Sequence, residues 1–485
     1  MDAVDASSTR KLENVRVRGV LGEYDHEFGF RGDQGLAIIY GPNGVGKTRL
    51  LEIIEALVAL NFAKLNSLPF SAGELQFSDG YTFSVAKVPK LAEDDATGSE
   101  SDSILFDLKF VLKHRRRVLA SSQISAGSDF VSWLSRMTPW QPVDGSEIWR
   151  NELDGDVALF SDLRPRYFAR YRHETRRQGE AAPRREIDPT IQAFVDDLRI
   201  KLIETQRLTA FDVREGSRNR YGASEGARSV PTINRNSDEI KRLLNVNLSE
   251  NSRLTQSLDS TFPRRMLERG SQSSLSEDDL RAKWAEQTKR RARLTEIADL
   301  KVDPQLSLPD DKLNEWQLGM LELYLEDADQ KLASFSEVLA KINLLEQIIN
   351  ERLLAKNLHI DANNGMVVSR ERDKSIIPLT ALSSGEQHEI ILLFDLLFNV
   401  HANSVVLIDE PEISLHIGWQ KKFIADVLLI AGLVGFQFCV ATHSPQIIGR
   451  WWALADRLGP KSSDFLGEDE GGVAEDAGEG AADAR

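Results

Sequence analysis

Residues 41–48 read Gly41-Pro42-Asn43-Gly44-Val45-Gly46-Lys47-Thr48, and no other stretch of the chain limits its fold as strongly. The glycines let the backbone wrap tightly, so that its N–H groups point at phosphate oxygens. Lys47 adds a cation for the β- and γ-phosphates, and Thr48 offers a hydroxyl to Mg²⁺. Such a loop works only between a strand and a helix. Both flanks are there: Leu36-Ala37-Ile38-Ile39-Tyr40 is a short apolar run, and from Thr48 to Leu60 apolar residues recur at helical spacing. The helix N-terminus behind the loop adds its dipole. A parallel α/β core with ATP and Mg²⁺ as ligands is therefore expected, and Asn43, Gly44, Gly46, Lys47, Thr48 and Arg49 are the candidate nucleotide contacts.

Three later segments carry further chemistry. Ser404-Val405-Val406-Leu407-Ile408-Asp409-Glu410 is an apolar strand ending in two carboxylates. Asp409 is placed to hold Mg²⁺ and Glu410 to polarise an attacking water. Leu382-Ser383-Ser384-Gly385-Glu386-Gln387 precedes a helix expected from His388 to Phe398. It reads either as an ordinary Ser/Glu helix cap or as an anion site built by Ser384 and Gly385. Ala441-Thr442-His443-Ser444-Pro445 follows another apolar strand, where His443 can donate to a γ-phosphate.

In their order along the chain these four elements resemble the ABC ATPase superfamily, in its chromosome-maintenance and DNA-repair branch. The SSGEQH run, E-P-E-x-x-L-H and T-H-S-P-Q resemble more closely the OLD-like ATPases and the ATPase subunits of two-gene phage-defence systems of Septu and PARIS type. The resemblance covers residues 12–60, the run around Gln206 and residues 376–450. It implies that Ser384, Gly385 and Glu386 act in trans on nucleotide held by a second copy, with Glu410 as catalytic base and His443 as switch histidine. It also makes residues 411–416 a loop crossing the dimer interface and Gln206 a Mg²⁺ or water contact. OLD-type nucleases carry a TOPRIM domain after the histidine loop. Here about 40 residues follow His443, too few for one, so any nuclease is expected in a separate effector.

The rest of the chain organises around this head. The expected fold is an α/β ABC head with an antiparallel β subdomain, assembled from both ends of the chain and interrupted by a helical, coiled-coil-like insertion. The expected parts are residues 1–210, an insertion at 211–357, a closing part at 358–460 and an acidic tail at 461–485. From Trp316 to Leu354 the apolar residues Leu321, Leu325, Ala328, Leu332, Phe335, Leu339 and Ile342 keep heptad spacing. That spacing suits one long helix packed on its own domain or an antiparallel hairpin projecting from the head. From Asp212 to Ser274 the sequence is rich in Ser, Asn and Arg, which suggests loops, short helices and some disorder.

Composition narrows the function classes. A net charge of −15 excludes a uniformly basic nucleic-acid protein but not a local patch. Two basic clusters stand out: Lys113-His114-Arg115-Arg116-Arg117, and eight arginines from Arg164 to Arg185 with Tyr167, Phe168 and Tyr171 interleaved. Each reads as a solvated face or as contact with nucleic acid or an acidic partner. The single cysteine, Cys439, excludes a disulfide framework and a cysteine-rich metal site, and reads as a core residue. No leader-like apolar run precedes Asn14, and the stretch from Val427 to Val434 is far short of a membrane span. A cytoplasmic homodimer of heads, or a higher homo-oligomer, is expected. It would be either a defence ATPase that controls an effector nuclease or a RecF- or SMC-like ATPase that clamps DNA.

Overall fold

The computed structural model describes residues 10–89, 106–125, 128–143, 148–159, 163, 166–167, 170, 187–204, 209–211, 229–269, 273–298, 308–413 and 415–460. The order begins β1 (Leu12–Val20), β2 (Tyr24–Gly29), β3 (Leu36–Tyr40), α1 (Lys47–Val58) and α2 (Phe62–Ser67). β4 (Ala72–Phe77), β5 (Tyr81–Pro89), β6 (Phe106–His114) and β7 (Arg117–Ser125) follow as a meander. Next come α3 (Ser128–Met137), the small sheet β8 (Trp140–Pro142), β9 (Ile148–Asn151) and β10 (Val157–Leu159), then α4 (Pro189–Asp196) and β11 (Ile200–Ile203). A short ribbon, β12 (Thr209–Phe211) and β13 (Ser229–Pro231), leads into the long helices α5 (Thr232–Arg269), α6 (Glu277–Ala298) and α7 (Glu315–Asn350). The chain returns through β14 (Lys356–Asp361), β15 (Gly365–Arg370), β16 (Ile376–Ile377), α8 (Ser384–Phe398) and β17 (Val405–Asp409). It closes with α9 (Ile417–Gln420), α10 (Phe423–Val434), β18 (Gln437–Thr442), α11 (Pro445–Ile448) and β19 (Ala455–Arg457).

Two sheets divide the strands according to their burial patterns. In β1 only Leu12, Val15, Val17 and Val20 are buried, the one-sided pattern of an antiparallel sheet. It joins the sheet β2-β1-β4-β5-β6-β7. In β3, β17 and β18 nearly every residue is buried, as a parallel sheet covered on both faces requires. They form the centre of the all-parallel sheet β11-β17-β18-β3-β19. Alternate residues feed two cores. Ala37, Ile39, Leu407, Cys439 and Ala441 face α1 and the antiparallel sheet. Ile38, Val406, Ile408, Phe438 and Val440 face α8, α10 and the base of the insertion. Gln437 ties the sheets together, since its amide accepts from Leu12 N at 2.8 Å and donates to Leu12 O at 3.0 Å.

The insertion departs from the expectation for residues 212–274. Within that stretch α5 is one continuous helix of 38 residues. Its first half does have an apolar stripe, with Ile233, Ile240 and Leu244 buried against the head. Its second half has a half-buried stripe of Leu254, Leu258, Phe262 and Met266 and adds charge pairs: Asp259 with Lys331, Arg265 with Asp327, and Arg269 with Glu322 and Glu326. These partners descend along α7 as α5 ascends, so the two helices are antiparallel. α6 runs parallel to α7, its Leu280 beside Leu321 and Leu325 and its Leu294 beside Leu332 and Phe335. The heptad residues of α7 thus serve a three-helix arm whose outer clusters contain no head residue. At its base, Arg352 pairs with Glu389 of α8 and Asp426 of α10, with Glu389 buried and the other two half-buried.

Candidate functional site

Because β3, β17 and β18 are parallel and adjacent, their C-terminal ends open onto one edge, the usual location of ligand crevices in such sheets. The phosphate loop leaves β3, the Asp409-Glu410 pair leaves β17, and Thr442-His443 leaves β18 between them. Gly44 and Gly46 have φ of 87° and 85°, a left-handed geometry that a side chain would strain. At Gly41 the obstacle is space, since a Cβ would stand 2.5 Å from Leu458 O. The loop also has a support that the sequence does not advertise. Buried His26, stacked on Tyr24, has Nε2 2.7 Å from Val45 O, and burial pushes its pKa below the ordinary histidine value.

Five of the expected residues converge here: Lys47, Thr48, Asp409, Glu410 and His443. Lys47 is 4% exposed and its Nζ donates to Gly41 O at 3.1 Å and Pro42 O at 3.2 Å. It also donates to His443 Nε2 at 2.5 Å, and that nitrogen lies 3.2 Å from Glu410 Oε1. Burial lowers the Lys47 pKa, opposed by the charges of Glu410, Asp409 and Glu412. Thr48 Oγ1 donates to Asp409 Oδ2 at 2.9 Å. Burial raises the Asp409 pKa, with the Thr48 hydrogen bond acting against it. A hydroxyl and a carboxylate already in contact are the donor set of a Mg²⁺ site in nucleotide-binding loops, so both the cradle and the cation partners fit Mg-ATP. Glu410 adopts φ of 41°, rare for a side-chain-bearing residue, and its N–H donates to Ala441 O at 2.9 Å. The strained turn sets its carboxylate beside His443 rather than along the strand.

A model of the AAA ATPase domain family matches residues 25–448, which takes in both halves of this site. The chain belongs to the AAA ATPase domain family. No curated protein matches it. Among solved structures, the Smc head domain with an extended coiled coil from Pyrococcus furiosus, bound to the C-terminal domain of ScpA, is 14% identical. That similarity covers 90% of this chain and 91% of the other, with a TM-score of 0.31. The SMC head domain from Thermotoga maritima is 10% identical, covering 92% of each chain with a TM-score of 0.28.

The remaining candidates in this AAA ATPase domain are distributed differently. Asn43 and Gly44 are exposed on the loop, and Arg49 is turned to Glu52 at 2.6 Å. α8 begins at Ser384, four residues before the expected start, because Ser383 and Glu386 form a capping box. Ser383 takes the cap, which leaves Ser384 exposed in the first turn and Gly385 half-buried beside it. Glu386 faces inward to Lys356 at 2.8 Å. Burial works against its charge, yet Lys356 and Ser383 hold its pKa below the usual carboxylate value. Among the described residues no hydrogen bond or ion pair links Ser384 or Gly385 to the phosphate loop of the same chain. Gln206 lies outside the described residues, as do most of the arginines from Arg164 to Arg185. Of the other basic cluster, Arg115, Arg116 and Arg117 are exposed at the β6–β7 turn. Among the described helices none is long and apolar enough to cross a membrane.

Proposed function

We propose that this chain binds and hydrolyses ATP at a site shared by two heads, and that closure of the heads controls a separate effector, a nuclease, in defence against phage. The observation that carries the shared site is the start of α8, where Ser383 does the capping and Ser384 and Gly385 remain available to another molecule. Magnesium held by Thr48 and Asp409 would supply positive charge to the phosphate oxygens. Lys47 neutralises the terminal phosphates. Glu410 orients the attacking water and takes up its proton at Oε1 or Oε2. His443, already against Lys47 and Glu410, donates a hydrogen bond to the phosphate being transferred. Gln206 would complete the polar ring.

The effector reading rests on the motif likeness to two-gene defence ATPases and on an arm anchored to α8 through Arg352 and Glu389, so that head closure can be transmitted outward. We expect the isolated protein to hydrolyse ATP and to leave DNA and RNA intact. Incubation with Mg²⁺ or Mn²⁺, ATP and nucleic acid, with and without the product of the neighbouring gene, tests this. Cleavage that needs both proteins supports the reading. Cleavage by this protein alone contradicts it, and ATP-dependent DNA retention with no partner effect favours a repair-type clamp.

A further inference from the structure

We propose that Glu412 is a positioning residue that holds the His443 loop in register with Glu410, an inference that rests on the ATPase reading of the site. The segment from Thr442 to Ser444 leaves β18 as a turn that points two backbone N–H groups and a hydroxyl at one spot. All three donate to a single oxygen: Glu412 Oε1 accepts from Thr442 Oγ1 at 2.8 Å, from His443 N at 2.6 Å and from Ser444 N at 3.1 Å. The arrangement is a small anion nest filled by a side chain of the same molecule. Thr442 Oγ1 in turn accepts from Ser444 N at 2.9 Å, so its proton is free for the carboxylate. On the far side Ser444 Oγ donates to Gln420 Oε1 at 2.6 Å, and Gln420 Nε2 donates to Leu415 O at 2.9 Å.

These contacts make one mechanical unit of two segments that are about thirty residues apart. Glu410 and Glu412 share the turn after β17, and the Glu410 carbonyl accepts from Ile413 N at 3.2 Å to close it. Any movement of that turn is therefore handed to the backbone of His443, whose ring stands against Lys47 and Glu410. Removing the carboxylate leaves the half-buried His443 N–H unpaired and the Ser444 N–H with Thr442 Oγ1 alone, which releases the loop, while the strands that carry Asp409 and Thr442 keep their register. Glutamine preserves an acceptor oxygen at the same reach, and alanine preserves none.

Steady-state ATP turnover by wild type, Lys47→Ala, Glu412→Ala and Glu412→Gln tests the inference. Lys47→Ala reports on the site itself: retained turnover would remove the ATPase reading, and this inference with it. Given a silent Lys47→Ala, we expect Glu412→Ala to lose about tenfold or more in kcat with KM within about threefold, and Glu412→Gln to stay within about threefold of wild type. Thr442→Val, which removes the hydroxyl's donation to Glu412 and its acceptance from Ser444 N without changing side-chain shape, gives an intermediate loss and covers the case in which Glu412→Ala fails to fold. A raised KM at unchanged kcat would overturn the positioning role, as would equal losses in the alanine and glutamine variants or wild-type kcat in Glu412→Ala and Thr442→Val.

Discussion

Glu410 combines a strained backbone with a carboxylate 3.2 Å from His443, and strain of this kind persists only where the surroundings enforce it. Removing its basicity while keeping its shape should separate binding from chemistry. Glu410→Gln is expected to bind ATP as wild type does and to hydrolyse it about a hundredfold more slowly or worse, read by equilibrium binding and single-turnover hydrolysis. His26 predicts a pH effect. Its folded pKa is depressed, so on acidification through about 6.5 the unfolded chain takes up a proton that the folded chain refuses, and stability falls. Urea midpoints at pH 8 and pH 6 should differ more for wild type than for His26→Gln, and equal differences would contradict this. At this scale Lys47, Thr48, Asp409 and Glu410 are legible in the sequence because their spacing within short motifs fixes where they stand. The hold of Glu412 on the His443 loop is not, because it depends on β17 lying beside β18. His26 lacks any local signal for the same reason.

Elements were legible where apolar periodicity is unbroken. β3, α1, β17 and β18 fall within two residues of the expected positions, since each is a short apolar run or an amphipathic stripe. α5 was not legible as one helix because Ser, Asn and Arg crowd its outer half and dilute a thin, half-buried stripe of Leu254, Leu258, Phe262 and Met266. Ion pairs with α7 add to that stripe, and partners some sixty to seventy residues away leave no period in the local sequence. The heptad pattern of α7 correctly marks a packing seam, but it is silent on the number of helices that share it. At the base of the arm, Arg352, just past the end of α7, pairs with buried Glu389 and half-buried Asp426 and so ties the arm to α8 and α10. Burial pushes the Asp426 pKa up and the Arg352 pKa down, so each ion depends on the other for its charge. Arg352→Leu leaves Glu389 and Asp426 facing each other unpaired. It should cost about 3–5 kcal/mol in urea unfolding at neutral pH, part of which is recovered on acidification as a carboxyl group is protonated. A loss below about 1 kcal/mol would show that the triad is dispensable.

The whole molecule is a head assembled from both ends of one chain with an arm leaving its middle, and that arrangement follows from the α/β order of the terminal segments. The second molecule proposed for the ATP site is a different matter, since it rests on Ser384 and Gly385, which lie in the first turn of α8 but leave the capping to Ser383. Ser384 is exposed, and replacing it with arginine should block the surface of one head without touching its own phosphate loop. Lys47→Ala disables the loop and leaves Ser384 intact. The most direct measurement of the shared site is therefore ATP turnover by Lys47→Ala, by Ser384→Arg and by their equimolar mixture. Each variant alone should be inactive, and the mixture should regain activity, up to about a quarter of wild type for random pairing of two heads. Full turnover by Ser384→Arg alone, or a mixture as silent as its parts, would contradict a site completed by a second copy.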